Sequence, residues 1–85
     1  MSKARIHNLI EQLQQEIEQT DSLESAKKQK LETLVSDIES GLNDEKLPDQ
    51  LNDNLSETVT EFEASYPRLT AIVNDIMVTL SNLGI

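Results

Sequence analysis

His7 and Glu11 stand one helical turn apart in the stretch HNLIE near the start of the chain. On a helix such a pair shares a face, and it could offer two ligands to a metal ion or a carboxylate that steers an imidazole. A zinc site needs three or four ligands. The chain has one histidine and no cysteine, so the pair predicts a surface contact and not a metal centre. No Ser-His-Asp set can be brought together around a histidine so close to a terminus. Asp53, Glu57 and Glu61 repeat at one-turn spacing and could hold a divalent cation weakly, but such a stripe reads first as the solvated face of a helix. The segment NDEKLPD, residues 43–49, is rich in oxygens yet lacks the glycine and closing glutamate of a calcium loop. Gly41 and Gly84 are too far apart for a glycine-rich phosphate loop. Phe62 and Tyr66, the two aromatic residues, are too few for a base-stacking platform. The carboxylates fall on predicted solvated faces, where nothing equips one as a general acid. The sequence predicts no enzyme, no catalytic residue, no metal site and no cofactor.

The elements that would position these residues come next. With 85 residues one domain, 1–85, is expected. A chain this short buries only about two-thirds of the surface its unfolded form exposes. Small domains often offset that with disulfides or with a second chain. Cysteine is absent, which removes the first option and suits a reducing compartment. Two glycines, two prolines and a richness in Leu, Glu, Gln, Lys and Ser favour helix. The formal net charge is −9. Residues 1–66 carry six Lys/Arg against fifteen Asp/Glu, whereas residues 67–85 carry only Arg68 and Asp75, so the whole imbalance lies before residue 67. That field repels nucleic acid and anionic lipid, so neither is an expected partner. Solubility is the plain role of so much acid; a sharper one is to attract a basic protein, as a mimic or antagonist in place of nucleic acid. The N-terminus, MSKARIHNLIEQL, has no long apolar run and no small-residue cleavage site, so it does not read as a signal peptide. A cytoplasmic protein is expected.

Hydrophobic spacing predicts four helices. Ile6, Leu9, Ile10, Leu13 and Ile17 line one face of the first, over about 3–18. The pattern lapses through Thr20, Asp21 and Ser22, and Asp21 with Glu24 resembles a capping box. A second helix, 22–41, would turn Leu23, Ala26, Leu31, Leu34, Val35, Ile38 and Leu42 inward and end at Gly41. A competing arrangement exists. Ile17 and Leu31 are two whole heptads apart, so the first two helices could run on as one coiled-coil helix. Its seam would then hold Thr20, Glu24 and Lys27, which is costly, and a hairpin is favoured. Pro48 in the first turn starts a third helix, 48–64, with Leu51, Leu55, Val59 and Phe62 inward. Tyr66 precedes Pro67 and so marks a break. Ser65 is a candidate cap, Pro67 the first residue of a fourth helix, 67–82, and Gly84 its stop.

The fourth helix differs from the rest. Leu69, Val73, Ile76, Leu80 and Leu83 follow a 4-3-4-3 seam. Ile72, Met77 and Val78, with Ala71, cover much of the remaining circumference. A helix this apolar is normally buried from more than one side. It is too short for a bilayer, at roughly 25 Å of helix against the ~20 apolar residues a span needs, and Arg68, Asn74, Asp75, Ser81 and Asn82 interrupt it. Three readings follow: it is the central helix of its own domain, or one face packs on the other helices and its surplus apolar surface on a second copy, a homodimer joined along residues 67–82, or that surplus fits a groove on another protein. At the preceding corner, Phe62 reads as a core anchor, the Tyr66 hydroxyl would reach water or a backbone carbonyl, and Arg68 would pair with Glu61, Glu63 or a partner chain.

The stretch FEASYPRLTAIVNDIMVTLSNLGI, residues 62–85, resembles the C-terminal signature of a family of short proteobacterial helical proteins catalogued as a domain of unknown function. The upstream pattern, an N-terminal amphipathic helix and then a helix ending near Val35-Ser36-Asp37-Ile38, is also similar. Members of that family often carry His where this chain has Tyr66, a departure that argues against an imidazole role at the corner. The resemblance implies an all-α fold and no activity, substrate or cofactor. The expectation is four amphipathic helices in two hairpins, a small bundle completed by homodimerisation, acting as a non-catalytic interaction or structural module.

Overall fold

The computed structural model describes residues 2–44, 46 and 49–83. Four helices follow one another: α1 (Ser2–Gln19), α2 (Ser25–Asp44), α3 (Leu51–Phe62) and α4 (Pro67–Leu83). No strand occurs among the described residues. The helices form a ring in which α1 neighbours α2 and α4, and α3 neighbours α2 and α4; the two diagonal pairs do not approach. Consecutive helices joined by such short connections run antiparallel, which gives an up-down-up-down bundle.

The first corner decides between the hairpin and the single long helix. Thr20 turns its hydroxyl back onto the Glu16 carbonyl at 2.6 Å, and its N–H bonds Ile17 rather than the residue four back. The Leu23 N–H then donates to the Thr20 carbonyl at 3.1 Å, closing a β-turn whose central residues are Asp21 and Ser22. The hairpin forms, but the predicted capping box does not. Lys28 donates its N–H to the Glu24 carbonyl at 2.9 Å, so Glu24 occupies the capping position and α2 begins at Ser25. Asp21 is committed to the turn and lies too far upstream to meet the free N–H groups of α2.

The other boundaries also shift for local reasons. Gly41 does not end α2. It is buried within the helix, which continues to Asp44, because tertiary packing outweighs a modest propensity penalty. The helix closes when the Lys46 N–H reaches back to the Gly41 carbonyl at 2.9 Å, a bond of the kind that ends a Schellman turn. Helix α3 is shorter than expected at both ends. Gln50 takes its capping position without a side-chain bond, and the predicted start at Pro48 lies outside the described residues. Pro67 opens α4 as expected, but the residue before it is the cap. The Tyr66 carbonyl accepts from the Thr70 N–H at 3.0 Å and from its hydroxyl at 2.9 Å. Proline at the first helical position fixes the cap at Tyr66, so Ser65 cannot hold it. The expected stop at Gly84 lies outside the described residues, as does the side chain of Leu83, expected on the apolar seam.

The core takes all five predicted residues of α1, together with Leu31, Leu34, Val35, Ile38 and Leu42 of α2, Leu51, Leu55 and Phe62 of α3, and Leu69, Val73, Ile76 and Leu80 of α4. Ala26, expected inside, is exposed; with α2 starting at Ser25 it lies in the first turn, away from the core row. On α3 the buried partner of Leu55 and Phe62 is Thr58, while Val59 is half-buried against the core. Residues 51, 55, 58 and 62 keep the same 4-3-4 spacing as α4. The hydroxyl of Thr58 is tolerated inside because it bonds the Asn54 carbonyl at 2.8 Å.

Candidate interaction surfaces

Helix α4 uses most of its apolar surface within its own chain. It packs closely against both α1 and α3, and Leu69, Val73, Ile76 and Leu80 are buried between them. Ile72 and Met77 sit on the two flanks of that row and are partly buried against the core. Met77 faces α3, where its sulfur lies 3.5 Å from the Ser56 hydroxyl. What remains outside is Val78, 50% exposed, among exposed Ala71, Asn74, Asp75 and Ser81. Val78 is the one large hydrophobic side chain exposed among the described residues.

Helix α2 stands differently. It packs less closely against α1 and α3 than α4 does, and an open groove runs along each side of it. The larger, about 410 Å³, lies between α1 and α2, with Ile17 and Val35 among its lining and Glu18, Glu32, Glu39 and Lys28 as its charged groups. The smaller, about 320 Å³, lies on the α3 side and is lined by Lys30, Thr33, Leu34, Asp37 and Asn54. Near it Lys30 pairs with Glu61 at 2.7 Å, with side chains 34% and 42% exposed. A pair that exposed contributes at most about 1 kcal/mol.

The two corners meet at one end of the bundle. Phe62 is fully buried, and its ring lies 5.6 Å from that of Tyr66, tilted by 48°. The Tyr66 hydroxyl donates to the Ser22 carbonyl at 3.1 Å, tying the α3–α4 corner to the α1–α2 turn. The Lys27 ammonium lies 5.5 Å from the centre of each ring, close enough for a cation–π attraction. Lys27 is one of the polar seam residues that disfavour a continuous α1–α2 helix, and the corner gives it an aromatic partner. The spacing of the sequence does not foretell that contact, because it joins residues from opposite halves of the chain. Pro67 and Arg68 are both exposed. Arg68 forms no ion pair with Glu61 or Glu63 among the described residues; Glu61 is held by Lys30 instead.

His7 and Glu11 are both exposed on α1, and Asp53, Glu57 and Glu61 are exposed along α3. No three of His, Cys, Asp or Glu converge on a metal-sized point among the described residues. No helix among them is long and apolar enough to cross a membrane.

A family profile described as a domain of unknown function (DUF4404) matches residues 6–85. The chain belongs to this family. The match starts at Ile6, a buried residue of α1, and takes in the rest of α1 and the whole of α2, α3 and α4. No curated protein and no solved structure matches the chain. Family membership therefore comes with the helical bundle described above and with no assigned chemistry.

Proposed function

We propose that this member of the DUF4404 family works by non-catalytic association with a basic protein, and that the groove between α1 and α2 receives it. The observation that carries this reading is the groove itself. It is open, its lining includes the apolar side chains of Ile17 and Val35, and three carboxylates, Glu18, Glu32 and Glu39, face the single cation Lys28. A cationic amphipathic segment would lay its apolar side on the floor and its Lys or Arg side chains on the rim. The overall charge of −9 would speed its approach. A cytoplasmic setting belongs to the same proposal; the cysteine-free sequence suits a reducing compartment. The test is binding of a Lys/Arg-rich amphipathic helical peptide, followed from low to raised salt. Affinity should fall as salt rises, and the double reversal Glu32→Lys with Glu39→Lys should weaken it at least about tenfold. Binding indifferent to both salt and reversal would reject the groove.

A second reading has its own observation. Val78, half exposed beside Ala71, could seat against the same face of a second copy and join two chains along α4. Sedimentation equilibrium at high micromolar concentration tests it: a dimer that Val78→Asp dissolves would support the α4 contact, and a 9.6 kDa species throughout would reject it.

A further inference from the structure

The α1–α2 corner joins three properties that together suit it to a second conformation. The connection from Thr20 to Glu24 contains neither glycine nor proline, so nothing in it forbids helix. Ile17 and Leu31 are fourteen residues apart, two heptads, so making the corner helical would carry α1 into α2 with the apolar rows in phase. The direct contact between α1 and α2 is also thin, because the two stand apart across the larger groove; the close packing of α1 on α4 would have to be remade against the second copy. What holds the corner bent is the Thr20–Leu23 turn, the bond from the Tyr66 hydroxyl to the Ser22 carbonyl and the packing of α1 on α4.

We propose that two copies of this chain exchange α1. In the open form residues 2–44 make one helix, and α1 leaves its own bundle. It then lies between α2 and α4 of the second copy, where Ile6, Leu9, Ile10, Leu13 and Ile17 find the same apolar surface that covers them in the single chain. Exchange of an identical element reuses contacts that already exist, so it needs no new complementary surface. Thr20 and Glu24, which make a poor seam inside one bundle, fall on the span between two bundles, where water reaches them, and Lys27 keeps its place over Phe62 and Tyr66 at the start of α2. The groove proposed for a basic partner is then walled by α1 of one copy and α2 of the other. This dimer makes no use of the outer face of α4.

The measurement is an intrachain distance in the dimer. Ala4 and Asn43 are both exposed, and the chain has no cysteine, so Ala4→Cys and Asn43→Cys allow a pair of spin labels. Doubly labelled chain is diluted into unlabelled chain, and the mixture is refolded at high concentration. In the closed chain no dimension exceeds 34 Å. The open helix would hold the labels about 60 Å apart, at 1.5 Å per residue. Asp21→Pro supplies the second variant. Asp21 is the second residue of the Thr20–Leu23 turn, a position that accepts proline, whereas proline inside the open helix would break it. It should raise the dimer dissociation constant at least about 100-fold, given the cost of proline in a helix interior. A dimer fraction with the long distance, removed by Asp21→Pro, is the expected result. A dimer with only the short distance would overturn the exchange and favour the α4 contact. A folded chain that stays monomeric at every concentration would overturn it as well.

Discussion

Ile38 in α2 and Ile76 in α4 are both fully buried, yet they sit on helices held in different ways. Ile76 lies on a helix gripped by α1 on one side and α3 on the other, while Ile38 lies on a helix with an open groove along each flank. Burial of one side chain does not report how firmly its helix is held. Two helices can each bury an apolar row and still differ in how well their surroundings close around a defect. Helix α4 is the helix that its own chain grips most closely, and α2 is the side on which the molecule has grooves to offer.

The largest expected effects are a matched pair. Removing buried aliphatic carbon costs about 2–5 kcal/mol, and the cost rises with the cavity that persists. Ile76→Ala should fall in the upper half of that range, because close packing on both sides leaves a void. Ile38→Ala should fall in the lower half, because α2 can settle toward its neighbours. Urea unfolding of the two variants checks this, and equal costs would break the comparison. Next is the corner. Lys27→Gln removes the cation from both rings and should cost about 1 kcal/mol, with faster amide exchange in the first turns of α2 and little change in the middle of α4. Tyr66→Phe keeps the ring and loses the bond to Ser22, for about 0.5–1.5 kcal/mol, read by thermal unfolding. The smallest effect is the coupling of Lys30 with Glu61. A double-mutant cycle should give about 0.2–1 kcal/mol and less at high salt; a larger value would mean that α2 is fastened to α3 more firmly than its geometry indicates.

The parts of this fold legible in the sequence are those that depend on periodicity alone. The face of α1 and the row Leu69, Val73, Ile76 and Leu80 follow from spacing, and the structure buries each of them. The opening of α4 at Pro67 follows from the fixed backbone angle of proline. Where two local signals compete, the reading slips. Val59 looks a better core residue than Thr58, but the 4-3-4 spacing selects Thr58, and its hydroxyl finds a carbonyl four residues back. Gly41 looks like a stop, yet packing carries α2 past it. Asp21 looks like a cap until the turn claims it. The surplus apolar surface of α4 shrinks once α1 and α3 are placed around it, because Ile72 and Met77 rest against the core. That reduction could not be read from a single helix, since it depends on how closely its neighbours approach. The grooves beside α2 and the Lys27–Phe62–Tyr66 cluster were illegible for the same reason: both arise between segments distant in the chain.

Native-state amide exchange resolved by residue tests the contrast between α2 and α4 most directly. The buried amides around Ile76 should exchange only through global unfolding, with the free energy and denaturant dependence of the whole molecule. Those around Ile38 should exchange through a smaller opening at a lower free energy and with a weaker dependence on denaturant. If the two sets coincide at the global value, α2 is held as firmly as α4, and the division of this bundle into a gripped helix and a grooved one is contradicted.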